Sequence, residues 1–281
     1  MNDLLAAFRA EWLKLSRRPA TWLLGLVLAV VLLTLGYAFL VVLVVVLGNQ
    51  PPSRPGVPAG LRTLKLDLAP AHFPQSTLGA FSGLGYGSAI AVILGVLAVG
   101  SEYGWGTLKT VFTQRPGRMT TFGGKLLALA VILAIYAVVV LACAAGASAV
   151  TGAIYGSPGG WPGPAEVAKA FLACWLIMGL WTALGAVLAV LFKQAPLAIG
   201  LGIVYSIAIE GLIVNTLSLD SSLKNVQRGF PGANATALVN SFGSNAAGAL
   251  VGPTQAVLVV AAFMVAFVVV AAVLLRARDV T

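Results

Sequence analysis

The sequence predicts an all-α integral membrane protein. It has six transmembrane helices, an N-terminal interfacial amphipathic helix and a short cytoplasmic helix between spans two and three. Three observations predict this. Apolar residues make up 59% of the 281 residues and charged residues only 9%, against about 25% charged in a soluble domain. Mean hydropathy is +0.99, and the apolar residues fall in runs long enough to cross a bilayer. The net charge of +9 comes from basic residues beside those runs rather than along one soluble face, which argues against a nucleic-acid partner.

Residues 3–18 read as an amphipathic helix. Leu4, Leu5, Phe8, Trp12 and Leu15 share one face, and Arg9, Lys14 and Arg17 lie on the other. The pattern fits either a helix lying in the membrane interface with its basic side toward anionic headgroups, or a basic flank that only orients the first span. Pro19 breaks it. Trp22 to Leu47 is apolar throughout and longer than a signal-peptide core, so it reads as a retained first span.

Residues 48–77 hold six of the fourteen prolines. Such a segment cannot lie in lipid, where its backbone groups would go unpaired. Leu61, Leu64, Leu66 and Leu68 mark a short ordered piece, strand or helix. The only histidine, His72, lies here and reads as a solvated loop residue. The second span runs from about 78 to 100. Its Gly79, Gly83 and Gly87 recur every four residues, from either close helix packing or ordinary glycine enrichment in membrane helices.

The polar stretch 101–125 carries Lys109, Arg115, Arg118 and Lys125 against one acid, Glu102. The positive-inside rule places it in the cytoplasm. Trp105 to Gln114 has no proline, and Leu108, Val111 and Phe112 fall at i, i+3 and i+4, so a short amphipathic helix is expected. Pro116 and Gly117 end it. A helix tied at both ends to membrane spans is suited to pressing on a soluble partner.

The third span covers about 126–154, long enough to tilt or protrude. A Gly- and Pro-rich turn, Tyr155 to Pro164, leads to the fourth span at 167–192. Lys193-Gln194 then makes a tight hairpin into the fifth span at 195–216, where Pro196 sits in the first helical turn. Glu210 is the one acid inside an apolar run. It is a candidate for cargo contact or helix pairing, or else a solvated carboxylate at the outer end of its span. The outer segment 217–252 is rich in Ser, Asn and Gly, and its Phe230, Leu238, Val239 and Phe242 fit short re-entrant helices buried by protein. Asn234-Ala235-Thr236 is a weak glycosylation match. The sixth span covers 253–275. With both ends cytoplasmic, the inner side holds eleven of the basic residues and the outer side six, so this topology is preferred over its inverse.

No enzyme motif is present: no G-x-S-x-G, no H-E-x-x-H, and no histidine or cysteine cluster that would hold a metal. Gly123-Gly124-Lys125 ends like a phosphate loop, but Leu126 follows it and Met119 stands where a glycine is required. Cys143 and Cys174 lie in apolar runs and read as buried thiols. Nucleotide-driven work must come from another chain.

These residues bring a family into view. The chain resembles the membrane subunit of ABC exporters of the ABC-2 type. The resemblance is carried by Glu11-Trp12-Leu13-Lys14-Leu15 with Arg17-Arg18 before the first span. It is carried further by Glu102-Tyr103-Gly104-Trp105-Gly106-Thr107-Leu108, then Arg118 and Lys125. The order of six spans extends it over essentially the whole chain, as a single permease domain. The resemblance implies that residues 3–18, with Phe8, Glu11, Trp12, Lys14, Arg17 and Arg18, match the family's interfacial connecting helix. It implies that Glu102 through Thr110 match a turn and coupling helix that dock on the ATPase subunit. With the apolar face just described, the docking set is Glu102, Tyr103, Trp105, Gly106, Thr107, Leu108, Lys109, Val111 and Phe112. It further implies two permease copies, as homodimer or heterodimer, with two ATPases in the cell membrane. ATP and magnesium would sit on the partner, and this chain would carry no cofactor. A hydrophobic or amphipathic cargo would move outward. The outer segment 48–77 is longer than in the most compact members. Two other readings are an integral membrane enzyme acting on lipid, with Glu210 or His72 as acid or base, and a non-transporting membrane scaffold.

Overall fold

The computed structural model describes residues 2–48, 68–81, 85–104, 117–155, 160–209, 212, 216, 224–243 and 251–277. Among them every regular element is helical. Helix α1 covers Asn2–Arg17. Arg18 is extended and Pro19 opens the next helix, since proline fits the first turn, where its missing N–H is not needed. That helix, α2, is the span Pro19–Val46. Its middle turns, Leu32–Ala38, widen into a π-helix.

Residues 70–81 differ from expectation. A 3-10 turn at Pro70–His72 leads into a separate short helix α3, Phe73–Gly79. The second apolar helix, α4, begins only at Tyr86 and runs to Gly104. The Gly79/Gly83/Gly87 repeat is therefore no packing stripe. Gly79 ends α3 and faces open space, Gly83 lies outside the described residues, and a side chain at Gly87 would strike Phe81 across the turn. The close helix approach lies lower, where the backbones of α4 and α6 touch. A Cβ at Gly95 would sit 2.1 Å from the Thr182 carbonyl oxygen, and one at Gly185 would sit 2.2 Å from that of Val92. The Thr182 hydroxyl donates to the Ala91 carbonyl at 3.1 Å. Small residues and a hydroxyl at one crossing are how membrane helices pack without a hydrophobic driving force.

Helix α5, Arg118–Tyr155, has 38 residues. At 1.5 Å per residue it is about 57 Å long, nearly twice a bilayer's hydrocarbon thickness of about 30 Å. Part of it therefore extends beyond the hydrocarbon core. Helix α6, Pro164–Phe192, is the centre of the bundle, with Ile177, Met178, Leu180 and Trp181 buried. Lys193 closes it in the left-handed conformation, φ 55°, and α7, Ala195–Ile203, returns at once. It widens into a π-helix over Val204–Ile209.

A four-residue helix α8, Lys224–Gln227, precedes α9, Pro231–Asn240. The latter is almost wholly buried. Asn234 within it is 0% exposed and donates to the carbonyls of Arg228 and Phe230. It is a helix-start residue closed off from modification, and the glycosylation match is discarded. The final helix α10 is Pro253–Ala277.

Among the described residues, four helices are long and apolar enough to cross a membrane: Pro19–Val46, Arg118–Tyr155, Pro164–Phe192 and Pro253–Ala277. Tyr86–Ser101 and Ala195–Ile209 are shorter apolar helices. The outward faces of α2 and α10, including Leu23, Leu26, Leu35, Leu258, Val265 and Val273, are apolar and exposed. That is the surface a lipid-facing helix presents.

Candidate functional site

The docking residues Trp105, Gly106, Thr107, Leu108, Lys109, Val111 and Phe112 lie outside the described residues, and so does Glu210. Glu102 and Tyr103 fall in the last turn of α4. The structure does describe both roots of the 105–116 stretch: the end of α4 and the start of α5. Helix α1 reaches the α5 root through Glu11, and Arg18, between α1 and α2, reaches the α4 root.

At the α5 root, α1 lies across the first turns. A side chain at Gly124 would meet the Ala7 and Phe8 backbone at 2.7 Å, so glycine sets the close crossing. The stripe that α1 buries there is Ala7, Glu11 and Leu15, spaced i, i+4, i+8. This corrects the expected orientation. Of the five apolar residues assigned to the membrane face, Leu15 is buried against protein, Phe8 and Trp12 are half-buried, and Leu4 and Leu5 are exposed. Phe8 and Trp12 stack with ring centroids 6.5 Å apart. The bare basic flank is excluded too, because α1 packs on the protein.

Glu11 enters the protein because it has partners. Its Oε2 lies 3.7 Å from Lys125 Nζ, and both side chains are 4% exposed. Its Oε1 lies 2.5 Å from Lys14 Nζ, one turn on. Lys14 keeps 39% of its side chain exposed, so it joins a buried pair to the surface. A buried charge is tolerated only when paired in this way.

At the α4 root, the Arg18 guanidinium donates to Ser101 Oγ at 2.8 Å and to the Leu97 carbonyl at 3.3 Å. The Ser101 hydroxyl in turn donates to the same carbonyl at 2.8 Å. A cavity of about 250 Å³ beside this contact is lined by Leu15, Arg18, Pro19, Thr21, Leu94 and Ser101. Arg17 is exposed at the end of α1.

Glu11 of α1 and Arg18 just beyond its end therefore bond to the described residues on either side of 105–116, the start of α5 and the end of α4. Composition and periodicity missed both clamp contacts. The signal available was Glu11 itself, an acid four residues from both Ala7 and Leu15 on one stripe.

Deeper contacts link the same helices. The Tyr136 hydroxyl of α5 donates to the Thr21 carbonyl of α2. The hydroxyls of Tyr37, in the π-helical turns of α2, and Ser148 of α5 share a hydrogen bond at 3.0 Å. Trp175 donates to the Ala130 carbonyl at 2.8 Å. A second, apolar cavity of about 300 Å³ lies among α5, α6 and α10 beside Trp175 and Met264.

Membrane-length apolar helices joined by buried interhelical hydrogen bonds, with charge confined to the ends, define a multi-pass helical membrane protein. Residues 7–209 match the model of the family described as ABC-2 family transporter protein, and the chain belongs to that family. It is a permease, the membrane-embedded component of an ABC transporter. The match takes in the α1 clamp and the whole of 101–125, and it ends at Ile209. A comparison with curated proteins found no match.

Proposed function

We propose that this chain is the permease through which a separate ABC ATPase drives a hydrophobic or amphipathic cargo outward. The observation that carries the proposal is the double clamp. Glu11 of α1 on Lys125 and Arg18, at the joint of α1 and α2, on Ser101 tie this joint to both roots of the 105–116 stretch, an arrangement that would turn force on that stretch into movement of several helices. The docking surface is the set Glu102 to Phe112 named above. ATP and magnesium are held by the partner.

In this reading the chain is one domain of six spans, with the shorter helices α4 and α7 completing the set. Both termini and residues 101–125 face the cytoplasm of the cell membrane, and two permease copies assemble with two ATPases. ATP closes the ATPase dimer and the docked helix moves. The bundle then shifts between two packings to the extent that the partner's affinity differs between them. Glu210, by its place in an apolar run, lines the cargo path or pairs helices.

Affinity purification of the tagged permease from its own membranes tests this. An ABC ATPase copurifies, and its hydrolysis in lipid nanodiscs responds to added amphiphiles. Recovery of the chain without any ATPase, under conditions that preserve its fold, would overturn the reading.

A further inference from the structure

At the other end of the molecule from the clamp, a cavity of about 850 Å³ opens between α6, α10, α9 and the Pro70–His72 turn. Ligand sites for small molecules span about 300–1,000 Å³. Its walls include Leu172, Leu176, Leu238, Phe242, Val257 and Leu258. Glu166 and Lys169 stand on the same lining, one turn apart on α6 and opposite in charge. Both are exposed, and neither forms an ion pair with a described residue. His72 also lines the cavity.

The dimensions add a second constraint. Glu166 and Leu176 are ten residues apart on one helix, about 15 Å. That is half of a hydrocarbon core of about 30 Å, the depth of one leaflet. The two charges stand at the rim, and the apolar wall descends from them toward the bilayer midplane.

We propose that this cavity holds one zwitterionic, single-chain amphiphile. Its cationic group rests on Glu166 and its anionic group on Lys169. Its chain lies along Leu172, Leu176, Val257 and Leu258. An anionic head would meet Glu166 unfavourably, and a cationic head would meet Lys169 unfavourably. This names the cargo class of the exporter proposed above and rests on that reading.

The experiment measures binding of radiolabelled lysophosphatidylcholine, lysophosphatidylglycerol and a long-chain alkyltrimethylammonium. The full-length permease is held in nanodiscs, with each probe below its micelle concentration. Lysophosphatidylcholine binds saturably, one per chain, and about tenfold more tightly than either singly charged probe. Glu166→Lys weakens it and favours lysophosphatidylglycerol; Lys169→Glu weakens it and favours the ammonium. Both substitutions lie on an exposed helix surface, and Glu166→Gln and Lys169→Gln give the same loss without new charge. Unsaturable binding, or equal binding of the three probes that neither reversal changes, overturns the site. Because neither ATPase nor ATP is present, this outcome is independent of whether the chain exports. A second arm adds the partner ATPase and ATP. Release of bound lysophosphatidylcholine supports its place as cargo, and retention through many turnovers overturns that assignment.

Discussion

Glu11 and Lys125 face each other 3.7 Å apart across the crossing of α1 and α5, each with 4% of its side chain exposed. They are 114 positions apart in sequence, yet each makes the other's burial possible. Breaking a buried ion pair by removing one partner costs about 3–5 kcal/mol, less where the survivor keeps another partner, as Glu11 keeps Lys14, whereas replacing both by apolar residues is often neutral or better. Glu11→Ala and Lys125→Ala are therefore each expected to destabilise the detergent-purified permease, and Glu11→Leu with Lys125→Met much less. Denaturation of the variants and their double-mutant cycle measures this. Strictly additive losses would mean that the two residues do not interact.

Arg18 tests the other clamp. Its guanidinium holds Ser101 Oγ and the Leu97 carbonyl, and a charged hydrogen bond contributes about 1.5–3 kcal/mol. Arg18→Ala is expected to leave the permease in the membrane and the ATPase bound, but to lower the cargo stimulation of ATP hydrolysis. Arg18→Lys reaches one acceptor at most and falls between. Stimulation assays in nanodiscs decide it; unchanged stimulation in Arg18→Ala would remove this contact from the coupling path.

Gly124 sets how closely α1 can approach α5, since any side chain there meets the α1 backbone at 2.7 Å. Gly124→Leu should lift α1, with an overpacking cost of about 1–3 kcal/mol. A cysteine placed at Leu15, now 3% exposed, then reacts with thiol reagents far faster in the Gly124→Leu background than without it. Equal rates would show that α1 is held elsewhere.

The long apolar runs were legible in the sequence because a bilayer-length helix must be apolar along most of its length. Pro253 marked a helix start and Lys193-Gln194 the hairpin, whereas the helices read as starting at Trp22 and Val167 begin a turn earlier, at Pro19 and Pro164. The face of α1 was not legible. Apolar periodicity put Leu4 and Leu5 beside Leu15, but the buried stripe runs through Glu11, and an acid is buried only when a distant partner such as Lys125 is supplied. The glycine repeat misled for a related reason. Equal spacing has meaning only within one helix, and the chain turns between Gly79 and Gly87. His72 read as a solvated loop residue because nothing local shows that α5 packs against the Pro70–His72 turn. The docking residues 105–112 and Glu210 fall outside the described residues, so for them the sequence remains the only guide.

Orientation has its own test. With both termini cytoplasmic, a cysteine at Gln114 resists membrane-impermeant thiol reagents in intact cells, and one at Ser53 labels. The opposite pattern would invert the topology and put the clamp on the wrong side for an ATPase.

The central claim is that the stretch between the two clamped roots is where the ATPase engages. Trp105 and Phe112 are its large apolar residues. An aromatic at the centre of a contact typically costs about 2 kcal/mol or more when truncated, about thirtyfold in affinity. A rim charge such as Lys109 affects chiefly the association rate. The most direct measurement is ATPase copurification together with cargo-stimulated hydrolysis for Trp105→Ala, Phe112→Ala and Lys109→Ala, at equal amounts of inserted permease. The account predicts loss of both for the two aromatic variants and little change for Lys109→Ala. Full ATPase retention and normal stimulation in both aromatic variants would contradict it.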